Sequence, residues 1–301
     1  MHIKIGTRKS KLALWQANHV SNQLQAEGHS TELVLISTKG DEVLDTPLPL
    51  IRGKGVFTKA LDDVLLNGEI DIAVHSFKDV PTELPVGISI GAILERENPA
   101  DVIVCRNGND FLNNETAIIA TSSNRRKSQW LQRYPNHQMV DIRGNVGTRI
   151  QKLKDSNWDA AIFAAAGLIR LDLEFEIAQS LDWMLHAPAQ GAIAVVFLER
   201  DKAIFNALLG LNHPETATCT LAERDFLNEL SGGCSAPVGA EVHIEEDKIH
   251  FHGIVLDKEG KEKIEIELSK SLDEAHRIGR EAAQLALAEG ADRLINASKD
   301  D

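Results

Sequence analysis

The sequence has few cysteines, and they are not arranged for a disulfide framework or a zinc site. The 301 residues include three cysteines, an odd number with wide spacing and no CxxC pair: Cys105, Cys219 and Cys234. Disulfide scaffolds use even sets of cysteines in short secreted chains, and structural zinc sites use closely spaced pairs. At least one thiol is therefore predicted to be free.

Long apolar runs and signal-peptide features are also missing. No window approaches the roughly 20 apolar residues of a membrane span. Charged Arg8 and Lys9 come before any apolar core of signal-peptide length. We therefore expect a cytoplasmic protein without a membrane partner.

Basic residues are in the minority. Lys and Arg number 32 against 45 Asp and Glu, which gives a net charge of −13. So acidic a chain is disfavoured as a nucleic-acid partner unless its cations are concentrated locally. With 301 residues, 43% of them apolar, the chain is long enough for two or three globular domains.

Two stretches alternate short apolar runs with amphipathic segments, a pattern typical of parallel strands joined by helices. The first predicts strands over 3–6, 32–37 and 70–75, a helix capped by Ser10, and a helix over 56–67. The second predicts strands over 117–121, 138–142 and 160–163, and helices over 124–134 and 146–154. An apolar strand over 192–197 is expected to return to the first domain, so that two crossing segments form a hinge.

The remainder of the chain has a different pattern. Helices over 215–230 and 272–289 flank three alternating strands over 240–245, 248–256 and 261–269. We therefore expect an α/β protein with two hinged α/β domains and a small C-terminal α+β domain. The predicted domains are 1–95 with 191–211, then 99–186, then 214–301.

Cations are concentrated in one segment. Residues 121–149 hold six basic side chains and a single acid, Asp141, for a local charge of +5. The segment contains two strand-to-helix junctions, TSSNRR (121–126) and RGNVGTR (143–149), where backbone N–H groups and guanidiniums favour an anion. A solvated basic helix face is the alternative, and it suits Lys127 and Arg133 best.

The first domain offers donors at the same kind of place. Arg8 and Ser10 follow its first strand, and Lys78 and Asp79 follow its third. Ligands of open α/β sheets bind at the carboxyl ends of the strands, so two facing sets of donors predict a cleft. Because GxxxxGK[ST] and GxGxxG are absent, several carboxylates fit this cleft better than a phosphate.

Two side chains in this pattern are candidates for chemistry. Asp79, among cations, should stay ionised and stabilise a positive charge or move protons; helix capping is its alternative role. Cys234 lies in a glycine turn that allows close approach, and a thiolate forms a stable thioether; a small buried apolar side chain is its alternative. His250 and His252 share a strand face, but two ligands are weak support, and no metal is predicted.

Five segments together resemble one family. They are IGTRKSKLA (5–13), VHSFKDVP (74–81), TSSNRR (121–126), RGNVGTR (143–149) and GGC (232–234), in that order along nearly the whole chain. The sequence resembles the porphobilinogen deaminases, also called hydroxymethylbilane synthases. The resemblance implies three domains, the first two like the lobes of periplasmic binding proteins. It also implies a dipyrromethane cofactor on Cys234 and the joining of four porphobilinogens, each losing ammonia, into hydroxymethylbilane.

The resemblance also implies roles for individual residues. Asp79 would face the pyrrole nitrogens, Phe57 would stack on a ring, and Lys54 and Lys59 would lie near a lid over 39–55. The carboxylates of cofactor and substrate would be bound by Arg8, Ser10, Lys78, Thr121, Ser122, Ser123, Arg125, Arg126, Arg143, Arg149 and Arg170. A monomer is expected.

Three positions depart from the family pattern: Ala189 and Ala120 replace glycines, and Asn124 replaces an apolar residue. They affect the expected geometry of the hinge and cleft, and they remove no charged group. The alternative function is a non-catalytic cytoplasmic binding or sensor protein for an anionic small molecule. It explains the arginines, but not Cys234 in its glycine turn or Asp79 among cations.

Overall fold

The structure is a computed structural model that describes residues 1–38, 58–230 and 236–297. In chain order, its elements are β1 (His2–Arg8), α1 (Lys11–Ala26), β2 (Ser30–Ile36), α2 (Lys59–Leu66), β3 (Ile72–Ser76), β4 (Ile88–Ile93), β5 (Asp101–Cys105), β6 (Ile118–Ala120), α3 (Asn124–Arg133), β7 (Gln138–Val140), α4 (Val146–Asp155), β8 (Ala160–Ala164), α5 (Ala165–Ile169), β9 (Gln179–Ser180), β10 (Ile193–Leu198), α6 (Lys202–Leu208), α7 (Pro214–Glu229), β11 (Val238–Glu245), β12 (Lys248–Leu256), β13 (Lys263–Ser271), α8 (Ala275–Ala288) and α9 (Ala291–Ala297).

The first two units share one sheet arrangement. Their five-stranded sheets have the orders β2-β1-β3-β10-β4 and β7-β6-β8-β5-β9. In each, three neighbouring strands run parallel, and the fourth is antiparallel to the strands on both sides. Strand β10 follows the second unit in sequence yet pairs in the first sheet. The fold class predicted from the sequence is confirmed.

Helix α1 illustrates how the pattern determines an element. The Ser10 side chain accepts a hydrogen bond from Ala13 N and so caps the helix. The predicted apolar face is buried against the sheet: Ala13, Ala17, Val20 and Leu24. Gly28 then adopts φ +85°, which glycine tolerates without steric cost, and the chain turns into β2.

The chain crosses between the two α/β units twice, and the crossings contact each other. Glu97 N donates to Gly191 O at 3.2 Å. Gly191 has φ +89°, and a Cβ there would lie 2.3 Å from Glu97 O, so only glycine fits. Nearby Ala189 has φ +62°, a left-handed conformation at the position where the resemblance led us to expect glycine.

The third unit packs the helices α7, α8 and α9 on the antiparallel sheet β11-β12-β13. Its core includes Phe226 of α7, Phe251 of β12 and Ile278 of α8. Helix α7 also reaches the first unit, where His213 N donates to Ile93 O at 2.8 Å. Of the helices in the described ranges, none has the length and apolar character to cross a membrane.

Candidate active site

The tight turn after β3 carries two of the predicted site residues. Lys78 and Asp79 lie in a single 3-10 turn whose first residue, Phe77, is fully buried and anchors the turn in the core. Both polar side chains are half-buried. Lys78 Nζ donates to Gln190 Oε1 at 3.0 Å, so the turn is joined to the second crossing segment.

The surroundings of Lys78 are rich in positive charge. Burial and the Arg126 guanidinium lower the pKa of Lys78 to about 8, although Asp79 and Asp101 oppose the shift. A lysine held beside other cations gains when an anion binds, because the anion offsets both desolvation and repulsion. The turn therefore favours a carboxylate ligand.

Gln190 connects this turn to the arginines of the second unit. Its Nε2 donates to Asp101 Oδ1 at 2.9 Å, while its Oε1 accepts from Lys78. Asp101 in turn accepts from Arg125 Nη1 at 2.6 Å and from Arg126 Nε at 2.9 Å. A continuous polar network thus runs from the first unit through the hinge to the second.

Asp101 is the anion that Arg125 and Arg126 contact in this structure. The carboxylate is fully buried, and the two arginines are 4% and 6% exposed. Burial raises the pKa of Asp101, but the two guanidiniums outweigh this effect and hold the pKa well below its usual range. Two cations against one anion leave a net positive charge at the strand ends.

The three hydroxyls of the 121–123 segment shape the junction between β6 and α3. Thr121 Oγ1 accepts from Ser123 N at 3.2 Å, and Ser123 Oγ accepts from Arg126 N as the helix cap. Ser122 Oγ donates to Ile142 O at 2.8 Å and accepts from Ile142 N at 3.0 Å. These contacts hold both predicted anion-binding junctions side by side.

Arg149 is influenced by charges from both α/β units. Its Nε donates to Gly144 O at 2.7 Å. Burial, then Arg126 and Arg143, lower the pKa of Arg149 to about 10, while Asp79 acts in the opposite direction. Asp79 of the first unit thus acts electrostatically on Arg149 of the second.

Arg8, Ser10 and Arg170 lie in different surroundings. Arg8 ends β1, where burial and then this guanidinium lower the pKa of His75 to about 4, so that His75 is neutral. Ser10 caps α1. Arg170 contacts the hinge: its Nη2 donates to Gly191 O at 2.7 Å, and its guanidinium lies 5.4 Å from the centre of the Trp15 ring.

Lys54, Phe57 and Cys234 lie outside the described residues, as does the predicted lid over 39–55. Their assignments therefore stay predictions.

Arg224, on α7 of the third unit, supports the site but was not predicted. It donates to three backbone carbonyls of the Lys78–Asp79 turn, those of Phe77, Val80 and Pro81, at 3.3, 2.8 and 2.6 Å. Its guanidinium also lies 4.4 Å from the centre of the Phe77 ring. The sequence does carry a signal for Arg224, because it occupies a buried position of helix α7. Charged residues are rarely buried without partners, so a partner was to be expected.

Asp101, Gln190 and Glu223 were also missed. Asp101 heads the apolar run of β5, and Glu223 occupies a buried position of α7 beside Ala222 and Phe226. For both Asp101 and Glu223, the sequence therefore shows a charged residue within an otherwise apolar pattern. Their partners lie far away in the sequence, which is why the pattern alone did not identify the network.

Two family models of known proteins together match most of the chain. A family model described as "Porphobilinogen deaminase, dipyromethane cofactor binding domain" matches residues 3–206, and one described as "Porphobilinogen deaminase, C-terminal domain" matches residues 217–288. The chain belongs to the porphobilinogen deaminase family. The resemblance inferred from the five sequence segments is therefore confirmed.

Named relatives cover almost the whole chain. Porphobilinogen deaminase of Geobacter metallireducens is 43% identical over 97% of this chain and 93% of its own length. That of Syntrophomonas wolfei is 42% identical over 98% of both. Among solved structures, the periplasmic VFT2 domain of BvgS from Bordetella pertussis is similar, with 16% identity, a TM-score of 0.43, and coverage of 72% of this chain and 91% of that one.

Membership of the family gives the chain its biochemical class. It is a transferase of tetrapyrrole biosynthesis whose substrate is porphobilinogen and whose cofactor is dipyrromethane. The enzyme class and cofactor predicted from the sequence are confirmed.

Proposed function

We propose that the chain joins four porphobilinogen molecules in sequence, each with loss of ammonia, to form hydroxymethylbilane in the cleft between the two α/β units. The observation that carries this proposal is Asp79 beside Lys78 on one unit, within the electrostatic reach of Arg149 on the other. The three sheets support the division into domains 1–95 with 191–211, 99–186 and 214–301. The enzyme acts as a cytoplasmic monomer.

The cations of the cleft bind the carboxylates of substrate and cofactor. Each pyrrole ring of these molecules carries an acetate and a propionate, so negative charge accumulates as the chain grows. Burial and neighbouring cations lower the pKa of Lys78 and Arg149, as expected where cations are gathered for an anionic ligand. The donor set therefore fits a dipyrromethane group, with Arg8, Ser10 and Arg143 as further contacts.

Asp79 is the proposed catalytic residue. Positive charge develops on the substrate as ammonia leaves, and a fixed carboxylate stabilises that charge. The same carboxylate is suited to hold the pyrrole N–H and to accept a proton from it. Lys78, next in sequence, occupies the side of the turn that faces Gln190.

The other predicted residues act around this centre. Thr121, Ser122 and Ser123 shape the anion-binding junction, and Arg125 and Arg126, held by Asp101, supply its positive charge. Arg170 acts at the hinge. Cys234 would hold dipyrromethane by a thioether, and the bound group would supply the pyrrole carbon for the first addition. Lys54 and Phe57 are proposed to contact the substrate rings and carboxylates.

The Asp79→Asn variant tests the proposal. Ammonia release from porphobilinogen by the holoenzyme should fall about 10²- to 10³-fold, because the variant removes a charge that stabilises the transition state. KM should change little. Asp63→Asn is the matched control, since Asp63 forms an exposed helical pair with Lys59. Near-normal turnover by Asp79→Asn, with the fold intact, would remove Asp79 from this role.

A further inference from the structure

Three side chains that bind metals well converge on the outer face of the third sheet. His243 and Glu245 are two residues apart on β11, and His250 of β12 is the direct cross-strand partner of His243. The rings of His243 and His250 are stacked, with centroids 4.9 Å apart and planes 12° from parallel. One potential ligand atom from each of the three residues lies within 4.8 Å of the other two.

The sheet dictates this arrangement. Side chains two residues apart on a strand share a face, and directly paired residues on neighbouring antiparallel strands have Cβ atoms about 5 Å apart. Strand β13 adds a support, because Ser269 Oγ lies 2.8 Å from His250 Nδ1 and fixes the orientation of that ring. Partners of this kind orient metal-binding histidines in many proteins.

We propose that His243, Glu245 and His250 bind a divalent transition-metal ion, with Zn²⁺ as the representative case. Two imidazoles and one carboxylate suit Zn²⁺, Co²⁺, Ni²⁺ or Cu²⁺ better than Mg²⁺ or Ca²⁺, which prefer all-oxygen sites. Bonds of about 2.0–2.1 Å in a tetrahedral site place ligand atoms about 3.3 Å apart. His243 and Glu245 are exposed, so their side chains have room to rotate toward His250 from the present separation of up to 4.8 Å.

The charge of the third unit supports a cation. Residues 241–301 contain 16 acidic and 9 basic side chains. Three protein ligands leave a coordination position for water, so the ion sits at an open surface site. Bound there, it cross-links β11 and β12 and stabilises the folded hairpin, because the unfolded chain does not hold the ligands together.

His252 provides a matched control on the same face. It lies two residues from His250 on β12, but its Nε2 is 2.8 Å from Glu265 Oε1 of β13. Its imidazole is thus directed to another partner. Replacing it removes a neighbouring histidine without removing a proposed ligand.

Zinc titration of the untagged, chelator-treated holoenzyme tests the proposal. Calorimetry should show one saturable Zn²⁺ ion per chain, and His243→Ala or His250→Ala should raise its Kd at least about tenfold. His252→Ala should leave the Kd unchanged. Zn²⁺ should also raise the Tm of the unsubstituted enzyme more than that of His243→Ala, whose Tm without metal shows whether it folds.

Cobalt distinguishes this site from a thiolate. Co²⁺ bound by His243, Glu245 and His250 should give visible ligand-field bands without a sulfur charge-transfer band. Absence of saturable Zn²⁺ binding would overturn the proposal. So would a thiolate band that disappears in Cys105→Ser, where the thiol is free, or equal weakening by the His243→Ala and His252→Ala substitutions.

Discussion

Ala189 illustrates how much one side chain affects the hinge. The residue is fully buried, its φ is +62°, and its N–H donates to Glu223 Oε2 at 2.7 Å. A left-handed conformation costs a residue with a Cβ roughly 1–2 kcal/mol, whereas glycine adopts it freely. The resemblance to the family led us to expect glycine at this position, and the positive φ is a physical reason for that expectation.

The Ala189→Gly variant should therefore be more stable. Relief of the left-handed strain outweighs the extra flexibility of glycine in the unfolded chain, for a gain of up to about 1 kcal/mol in the free energy of unfolding. Urea unfolding measures the change. Ala192→Gly is the control: Ala192 is buried without a positive φ, so its variant should lose stability. An equal loss of unfolding free energy in both variants would contradict the conclusion that Ala189 is strained.

Lys78 should make ligand binding depend on pH. Its pKa is lowered to about 8, so the ammonium is charged below this pH and is lost as the pH rises through it. Loss of a charge-assisted hydrogen bond of about 1.5 kcal/mol corresponds to roughly tenfold weaker binding. We expect cofactor-free Cys234→Ser protein to bind porphobilinogen about tenfold more weakly at pH 9 than at pH 7, as calorimetry would show.

Lys78→Arg provides the control for that prediction, because a guanidinium stays charged at pH 9. Its affinity should be nearly the same at both pH values. In the ligand-free protein that keeps Lys78, stability should rise with pH, whereas the affinity for porphobilinogen falls. The folded-state pKa of Lys78 lies below its unfolded value, so the free energy of unfolding should rise between about pH 8 and 10. An affinity that is independent of pH would contradict the role of Lys78.

At the scale of elements, helix α7 supports a turn that belongs to another unit. Arg224 donates to the carbonyls of Phe77, Val80 and Pro81, and these residues surround Lys78 and Asp79. Strands β3 and β10 fix where the turn begins, since Phe77 N donates to Ala192 O at 3.0 Å. The position of Asp79 thus depends on two elements that are distant in sequence.

Arg224→Met should lower kcat more than it changes KM. Methionine fills similar space but leaves the three carbonyls unpaired, so the turn shifts and Asp79 moves from its working position. Small displacements of a catalytic group cost about 10- to 100-fold in rate. Steady-state kinetics and Tm would check this, with Arg280→Met as the exposed control on α8. A loss of Tm without a loss of kcat, or no partial rescue by Arg224→Lys, would contradict a positioning role.

Element prediction succeeded where periodicity was regular. The buried face of α1 and the strand pattern of β12 follow from spacing alone. Strands β4 and β5 were not predicted, because Gly91 interrupts the first and the second is a short apolar run beside Asn98-Pro99. The roles of Arg125 and Arg126 needed more than local pattern, since their partner Asp101 comes from the antiparallel strand of the same sheet.

Across the whole molecule, Glu223 links all three units. Its buried carboxylate pairs with Arg96 of the first crossing, accepts from Ala189 N of the second, and accepts from Val242 N of the third sheet. The sequence predicts three units and a hinge. It does not reveal this junction, because the four residues come from segments that lie far apart in the sequence.

Glu223→Gln should weaken the coupling between the units. The glutamine side chain has one acceptor oxygen in place of two. Its amide nitrogen would therefore face a backbone N–H that needs an acceptor, and the Arg96 guanidinium would lose its negatively charged partner. Breaking a buried pair in this way costs about 3 kcal/mol. Calorimetry should show a lower Tm and a broader or divided transition. Glu229→Gln, an exposed substitution on the same helix, is the control. Identical unfolding transitions for the two variants would contradict the role of Glu223 in joining the units.

The intact mass of the purified protein under denaturing conditions tests the central claim most directly. A thioether survives unfolding, whereas a merely bound ligand is lost. We predict a surplus equal to two porphobilinogens minus two ammonias, located on the peptide that contains Cys234 and missing from Cys234→Ser. A bare polypeptide mass, unchanged after incubation with porphobilinogen, would contradict the assignment of this chain as a deaminase primed on its own covalent cofactor.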